Sequence, residues 1–302
     1  MKKITILISI LTFAFAYNGS ITGVTYFDYT RENDASAFNF NRQYFKYAIQ
    51  MSNDVKFKVV FDVGRTNKVT EDLGNNKEDM RLVVFLKKAQ LDYKCNWGNT
   101  SLGLIGTNTY GVQEKNWGYR FIEKSALDKN NFVSTVDLGV GLSKNIMSNL
   151  NLGIQYLNGE GYKKPEIDYI QKINLNINYG EANLLKNNGA NVGFIYSTDF
   201  TEVSPITLFS LYGGFVFRGI RFGTELDISD GKDLTSVYLN YQVNRKIDIF
   251  SRYDVLDEDD DESTYFVSGL VYNCGSGILV SPNIRKSNKD DLVYKLNFQF
   301  TF

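Results

Sequence analysis

The last eleven residues, LVYKLNFQFTF, put Leu292, Tyr294, Leu296, Phe298, Phe300 and Phe302 on one parity and Val293, Lys295, Asn297, Gln299 and Thr301 on the other. Side chains two apart in a strand share a face, so one face here is wholly apolar and aromatic, and the other is polar apart from Val293. Turned to water, such an edge aggregates. Two settings accept it. One is a terminal strand in a soluble sandwich; the other is a closed transmembrane barrel, with lipid outside and an aqueous lumen inside.

The opposite end favours the barrel. Lys2 and Lys3 precede an apolar run at 4–16, ITILISILTFAFA, that closes on Ala14-Phe15-Ala16. A charged start, a short apolar run and an A-x-A site read as a secretory signal peptide, residues 1–16, cleaved ahead of Tyr17. The run is too short to cross a bilayer as a helix, which takes about 20 apolar residues. Residues 17–302 then form a single barrel domain. Removing Lys2 and Lys3 from the 33 Lys+Arg leaves 31 against 34 Asp+Glu, a charge too mild to suggest a nucleic-acid partner.

No other segment resembles a membrane helix. The mean hydropathy is slightly negative, as it is for barrels, where alternate residues cancel in any average. The 20 Tyr and 22 Phe, with only 3 Pro, suit long strands and aromatic girdles. Strand-like segments fall near 20–30, 38–51, 55–64, 81–95, 100–110, 132–143, 149–157, 167–179, 190–199, 206–217, 220–229, 234–243, 246–255, 263–274, 278–285 and 292–302. That is about sixteen, an even number, as single-chain bacterial outer-membrane barrels require. Short connections rich in Gly, Asn and Asp (52–54, 96–99, 145–148, 244–245, 275–277) alternate with longer polar ones (66–80, 111–131, 158–166, 257–262). Outer-membrane barrels have short periplasmic turns and longer extracellular loops.

Parity agrees. In 55–63, Val55, Phe57, Val59, Phe61 and Val63 oppose Lys56, Lys58 and Asp62; in 167–179, Ile173, Leu175, Ile177 and Tyr179 oppose Lys172, Asn174, Asn176 and Asn178. A Lys or Arg facing lipid at mid-depth costs about 2–4 kcal/mol, so the charged parity must face water. Two places break the rule. Lys87 sits on the apolar parity of its strand, and the second strand changes phase near Arg42–Phe45; a bulge or a rim position accounts for such breaks.

About sixteen strands leave a lumen too wide for side chains to fill, hence an aqueous channel. The longest loop, 111–131, follows the fifth strand and is rich in large residues, among them Trp117, Tyr119, Arg120, Phe121 and Ile122. With the signal peptide, the strand rhythm, the terminal Phe, and the opening ITGVTYFDYT followed by FNFNRQYFKYAIQMSNDVKFKVVFDVG, the chain resembles the general bacterial outer-membrane porins. The resemblance implies an all-β, transmembrane antiparallel barrel of about sixteen strands whose long third extracellular loop folds into the lumen. It implies passive diffusion of small hydrophilic solutes and ions across the bacterial outer membrane, contact with outer-membrane lipids, and a homotrimer, which is common in that family. It further implies that Phe302, with Phe300 and Phe298 on the same face, is read by the outer-membrane assembly machinery.

An inward fold of 111–131 would bring Glu114, Lys115, Arg120, Glu123 and Lys124 to a constriction, opposite a basic wall of Arg42, Lys46, Lys56, Lys58 and Lys88. Charged rings set ion preference in such pores. Equally, these charges line a wet wall, pair with one another and select nothing. The family's usual acidic third-loop motif is not evident, so the polarity of selection stays open: the Lys residues hint at anions, whereas Asp137, Asp168, Glu225, Asp227 and Asp248 argue against a strongly basic pore.

The acidic run 257–262 lacks the spacing of an EF-hand loop and reads as a solvated outer loop, with loose divalent binding as the alternative. Cys95 and Cys274 fall on strands far apart around a wide barrel, beyond the ~7 Å Cα separation a disulfide spans, so two free thiols are expected. The chain has no His, which removes Ser-His and Asp-His hydrolase chemistry and His-containing metal sites; no enzyme activity, cofactor or metal is expected. Three functions remain: a general diffusion porin, a channel selective for an anion or a sugar, and a non-conducting surface or adhesion barrel. On the last strand, Leu296→Arg should block insertion while Asn297→Arg should insert and mainly alter ion flow.

Overall fold

Each alternating segment of the sequence is a strand, and the strands close into a cylinder. The computed structural model describes residues 19–65, 68–72, 75–79, 82–167, 169–201 and 205–302; the expected signal peptide, Tyr17 and Asp168 lie outside the described residues. In chain order the strands are β1 (Gly19–Glu32), β2 (Ala35–Gln50), β3 (Val55–Arg65), β4 (Lys68–Asp72), β5 (Asn75–Asp79), β6 (Leu82–Cys95), β7 (Gly98–Gly106), β8 (Val136–Met147) and β9 (Leu150–Leu157). They continue with β10 (Lys172–Gly180), β11 (Gly189–Asp199), β12 (Thr207–Phe217), β13 (Ile220–Ser229), β14 (Lys232–Gln242), β15 (Ile247–Glu258), β16 (Asp261–Gly275), β17 (Ile278–Ser287) and β18 (Val293–Thr301).

Sixteen of these form a closed antiparallel barrel, each expected segment overlapping one of them, while β4 and β5 pair separately. The seal runs between β1 and β18, from Val24 opposite Thr301 to Glu32 opposite Val293. Closure leaves no unpaired edge, which a sheet exposing this much apolar surface requires.

The two faces differ as the parity demanded. On β14, Leu234, Ser236, Tyr238 and Asn240 are buried inside, whereas Val237 and Leu239 are 39% and 50% exposed outside. On β10, Asn174, Asn176 and Asn178 are buried, while Tyr179 is exposed. The outer surface of the cylinder is apolar, and its inner surface is mainly polar, with buried apolar side chains such as Leu234, Phe250, Val267 and Val271 on β14–β16.

Both parity breaks are β-bulges. In the β1–β2 pairing, Tyr26 opposes Arg42 but Phe27 opposes Phe40, so Asn41 is an extra residue and the phase of β2 changes there. In the β3–β6 pairing, Val60 opposes Lys88 but Phe61 opposes Leu86, leaving Lys87 as the extra residue. The bulge re-aims Lys87 from the lipid parity to the interior, where its Nζ donates to Tyr44 Oη at 3.3 Å.

Three expectations need correction. The connection 66–80 contains the β4–β5 hairpin. The two rims are less unequal than the sequence suggests: on the rim of the long connections, 33–34 and 230–231 are two-residue turns, and the opposite rim carries the eight-residue link 181–188. The acidic run 257–262 is not a loop. β15 and β16 pair out to Glu258 and Asp261, leaving Asp259 and Asp260 as a tight turn with both φ positive, at 54° and 65°; short Asp side chains tolerate that conformation. Among the described residues no group of three or more Cys, Asp or Glu side chains is arranged to hold a metal ion. Cys95 and Cys274 are free thiols.

Candidate functional site

The connection from β7 to β8, residues 107–135, is the longest and the third on its rim. It contains helices α1 (Gly111–Trp117) and α2 (Ala126–Lys129). Helix α1 ends at Gly118, whose φ of 82° is left-handed and whose N–H donates to Glu114 O at 2.9 Å. Glycine suits that position twice over, because the Arg221 guanidinium lies where a Cβ would project.

Past Gly118 the segment buries its large side chains. Trp117, Tyr119, Phe121 and Ile122 pack against Tyr238, Phe250, Val267 and Val271 on the inner faces of β14–β16. Trp117 meets Tyr238 and Phe250 edge-on, with centroids 5.4 and 5.9 Å apart; such aromatic pairs add about 0.5–1.5 kcal/mol each beyond area burial.

Irregular backbone buried in a protein needs donors for its carbonyls. The wall supplies them. Asn240 Nδ2 donates to Trp117 O (3.0 Å), Arg285 Nη2 to Ile122 O (2.6 Å), Asn297 Nδ2 to Phe121 O (3.2 Å), and Arg252 to Lys124 O. Side chains add to this. Asn116 and Asn191 exchange amide hydrogen bonds at 2.9 Å each way, Arg285 pairs with Glu123 at 3.1 Å, and the Tyr265 hydroxyl donates to the same carboxylate at 3.0 Å. With Gln155 of β9 and Asn176 of β10, which bond the Asn108 backbone at 2.8 and 3.0 Å, these ties reach strands β9 to β18. Among the described residues no hydrogen bond or ion pair joins the segment to β2, β3 or β6, although Tyr26 of β1 and Tyr44 of β2 meet its apolar cluster.

Across from those strands' inner faces, the free side of the segment carries Arg120, which pairs with Glu114 at 3.1 Å and Asp128 at 3.8 Å, and Lys124, which is 3.6 Å from Asp128. On the facing wall, Arg42 and Lys87 share the buried Asp62 carboxylate at 3.3 and 3.7 Å. Between them lies a cavity of about 270 Å³ whose lining includes Arg42, Tyr44, Lys87, Arg120, Lys124 and Asp128.

The expected constriction residues divide accordingly. Glu114, Arg120 and Lys124 come together with Arg42. Lys115 is exposed and, among the described residues, has no ion pair. Glu123 is bound by Arg285 and Tyr265 and borders a cavity of about 360 Å³ that Arg42, Arg120 and Lys124 also line. Of that wall, Lys58 is paired with Asp92 at 2.9 Å, and Lys88 borders a second cavity with Lys87, Glu114 and Arg120. Lys46 and Lys56 are exposed on the inner face nearer the opposite rim. Phe298, Phe300 and Phe302 are all on the outer parity, with Phe298 stacked on Phe27 at 4.5 Å.

The two loop carboxylates titrate in opposite directions. Burial raises the Glu114 carboxyl, and Arg120 only partly offsets it. Burial acts on Glu123 as well, but Arg285 and Arg252 outweigh it and hold that carboxyl below its ordinary value.

Sequence reasoning missed Lys87, Asp62, Asp128, Arg285 and Asn297 as parts of this arrangement. Lys87 carried a signal, its wrong parity. The others are ordinary inner-face or loop residues until the segment's path is known.

No model of a known protein family matches the sequence, and no curated protein matches it. Solved outer-membrane barrels match its fold. Salmonella typhi OmpF in complex with daunomycin aligns with TM-score 0.65 at 12% identity, over 94% of this chain and 97% of that one. OmpT of Vibrio cholerae aligns with TM-score 0.64 at 11% identity, over 95% and 98%. A mutant porin of Rh. blastica aligns with TM-score 0.62 at 14% identity, over 94% and 100%. The chain is therefore a closed sixteen-stranded antiparallel barrel with the fold seen in outer-membrane porins.

Proposed function

We propose that this chain is a bacterial outer-membrane porin, through which small hydrophilic solutes and ions diffuse passively past the segment 107–135. The observation that carries the reading is the one-sided attachment of that segment. It is tied by hydrogen bonds to strands β9–β18 and leaves charged side chains facing charged side chains across a cavity beside β2 and β6. An apolar exterior suits a lipid bilayer, and an interior of Asn, Lys, Arg and Asp side chains suits water. Export by residues 1–16, recognition of Phe302, Phe300 and Phe298 by the assembly machinery, and a trimeric assembly belong to the same proposal.

Planar-bilayer recording of the purified full chain tests it. Ohmic steps are the expected result. A second reading, a non-conducting surface barrel, is favoured by the packed Trp117–Tyr238–Phe250 cluster, which fills part of the interior with apolar side chains. Electrical silence in a correctly inserted barrel would support that reading instead.

A further inference from the structure

We infer that the channel prefers anions, and that an unpaired lysine ladder on β2, β3 and β6 leads them to an oxyanion-binding gap between Arg42 and Arg120. The inference rests on the porin reading and names its substrate class: small inorganic and organic anions bearing phosphate or carboxylate groups.

The argument begins with the acids that opposed a basic pore. Glu225 and Asp227 are 2% and 0% exposed, covered by the segment 107–135, where Glu225 accepts the Ala126 N–H at 3.1 Å. Beside them Asp254 is spent on Arg252 at 2.6 Å. Asp137 is buried and accepts the N–H groups of Leu138 and Gly159 at 2.7 and 2.9 Å. Asp248 accepts the Tyr119 hydroxyl at 3.0 Å, on the side of the segment that faces the wall it is tied to. None of these carboxylates faces the wall of β2, β3 and β6.

The cations behave differently. Among the described residues Lys46, Lys56 and Lys88 make neither an ion pair nor a side-chain hydrogen bond. Register sets their order: Lys56 opens β3 just after the 51–54 turn, Lys46 lies opposite Val60, and Val60 lies opposite Lys88. Lys56 therefore lies nearest one mouth, and Lys46 and Lys88 flank Val60 further in, at the root of the segment, where Lys88 borders the cavity that also holds Lys87 and Arg120.

At its top, Arg42, Arg120, Lys87 and Lys124 line the gap, together with Lys163 and with Lys164, which is 3.6 Å from the Glu160 carboxylate. Their carboxylate partners Asp62 and Asp128 are buried, with side chains 0% and 10% exposed, and Glu114 is 28% exposed. Asp62 and Asp128 hold the cations in position and are less exposed than the Arg42 and Arg120 guanidinium groups they pair with, at 24% and 23%; Glu114 is the acid of the set that still meets solvent. Guanidinium forks match oxyanion geometry. Clefts lined by one sign of charge concentrate the opposite ion.

Reversal potentials of the full chain in a potassium chloride gradient decide the matter. Chloride should permeate at least about threefold better than potassium at 0.1 M, and the preference should fade at 1 M, where the screening length drops from about 10 Å to about 3 Å. Millimolar inorganic phosphate should reduce the chloride current. The triple variant Lys46→Gln, Lys56→Gln, Lys88→Gln touches no ion pair, and its permeability ratio should fall toward unity. Ohmic conductance with no preference, or with a preference for potassium, would overturn the inference and leave the porin reading intact. An unchanged ratio in the triple variant would overturn the ladder. Silence of an inserted barrel would remove both.

Discussion

Phe302 and Gly23 exchange both backbone hydrogen bonds across the barrel seam, at 2.9 and 3.0 Å, and the Phe302 ring lies over the glycine where a Cβ would project. The last residue of the chain is thus held by the first strand. A bulky side chain at position 23 would displace the ring from the seam. Gly23→Val should lower the yield of folded barrel and the temperature at which it unfolds, as read from heat-modifiable migration of unboiled samples. Phe302→Ala should not lower folded yield further when combined with it, because the two act on one contact.

The contrast between faces on β18 is sharper than the sequence allowed. Leu296 lies on the outer parity, so Leu296→Arg should cost about 2–4 kcal/mol if it sits near mid-membrane, and insertion into vesicles should fall accordingly. Asn297 was expected to tolerate Arg, but it is 1% exposed, donates to Phe121 O and accepts from Asn283 and Arg285. Asn297→Arg would disturb the attachment of the segment. Gln299→Arg, on the inner parity nearer the rim, is the substitution that should insert normally and shift only ion preference.

Arg285 holds the segment at two points, Ile122 O and the Glu123 carboxylate, and is itself braced by Asn297 on the wall. Arg285→Ala should produce noisier current steps of altered size, with Arg285→Lys partway between, because a lysine keeps the charge and loses the fork. Recordings of Glu123→Gln alone and combined with Arg285→Ala would give the coupling between the two.

Asp62 has two cationic partners and no exposed side-chain surface. Removing both, in Arg42→Gln with Lys87→Met, strands a buried carboxylate and should destabilise the barrel by about 3–5 kcal/mol. Adding Asp62→Asn should recover most of that loss. Denaturant unfolding followed by tryptophan fluorescence would report both steps.

Acidification should act on the two loop carboxylates in turn. Glu114, raised by burial, takes up its proton first, above its ordinary value, and Arg120 then loses that counter-charge. Anion preference should therefore rise as the pH falls from 7 toward 5. Glu123 is held low, so its contribution to stability is fully present above the unfolded-state value and is lost only as the pH drops through its depressed folded-state value. The segment should stay attached throughout the rise in selectivity, with open-channel noise as the readout.

The cylinder was legible from the sequence because alternation is a local signal repeated in every strand: the sixteen expected segments each overlap a barrel strand, and the broken phases at Arg42 and Lys87 mark bulges. The ends of connections were harder. Asp259 and Asp260 look like part of a polar loop, but as the centre of a tight turn they let Glu258 and Asp261 pair. Partners across the lumen were hidden for a different reason. Arg285 and Ile122, or Asn116 and Asn191, lie far apart in the chain, and no periodicity links them. Only the path of the segment decides which inner-face residues are covered and which still meet water.

Because the segment leans on β9–β18, the cavity it leaves is off-centre and borders the early strands. On the porin reading the two halves of the polypeptide take separate duties, the later half anchoring the obstruction and the earlier half greeting the traveller. Filters of new taste are best made by exchanging side chains on β2, β3 and β6, where a change meets the solute without loosening the anchor.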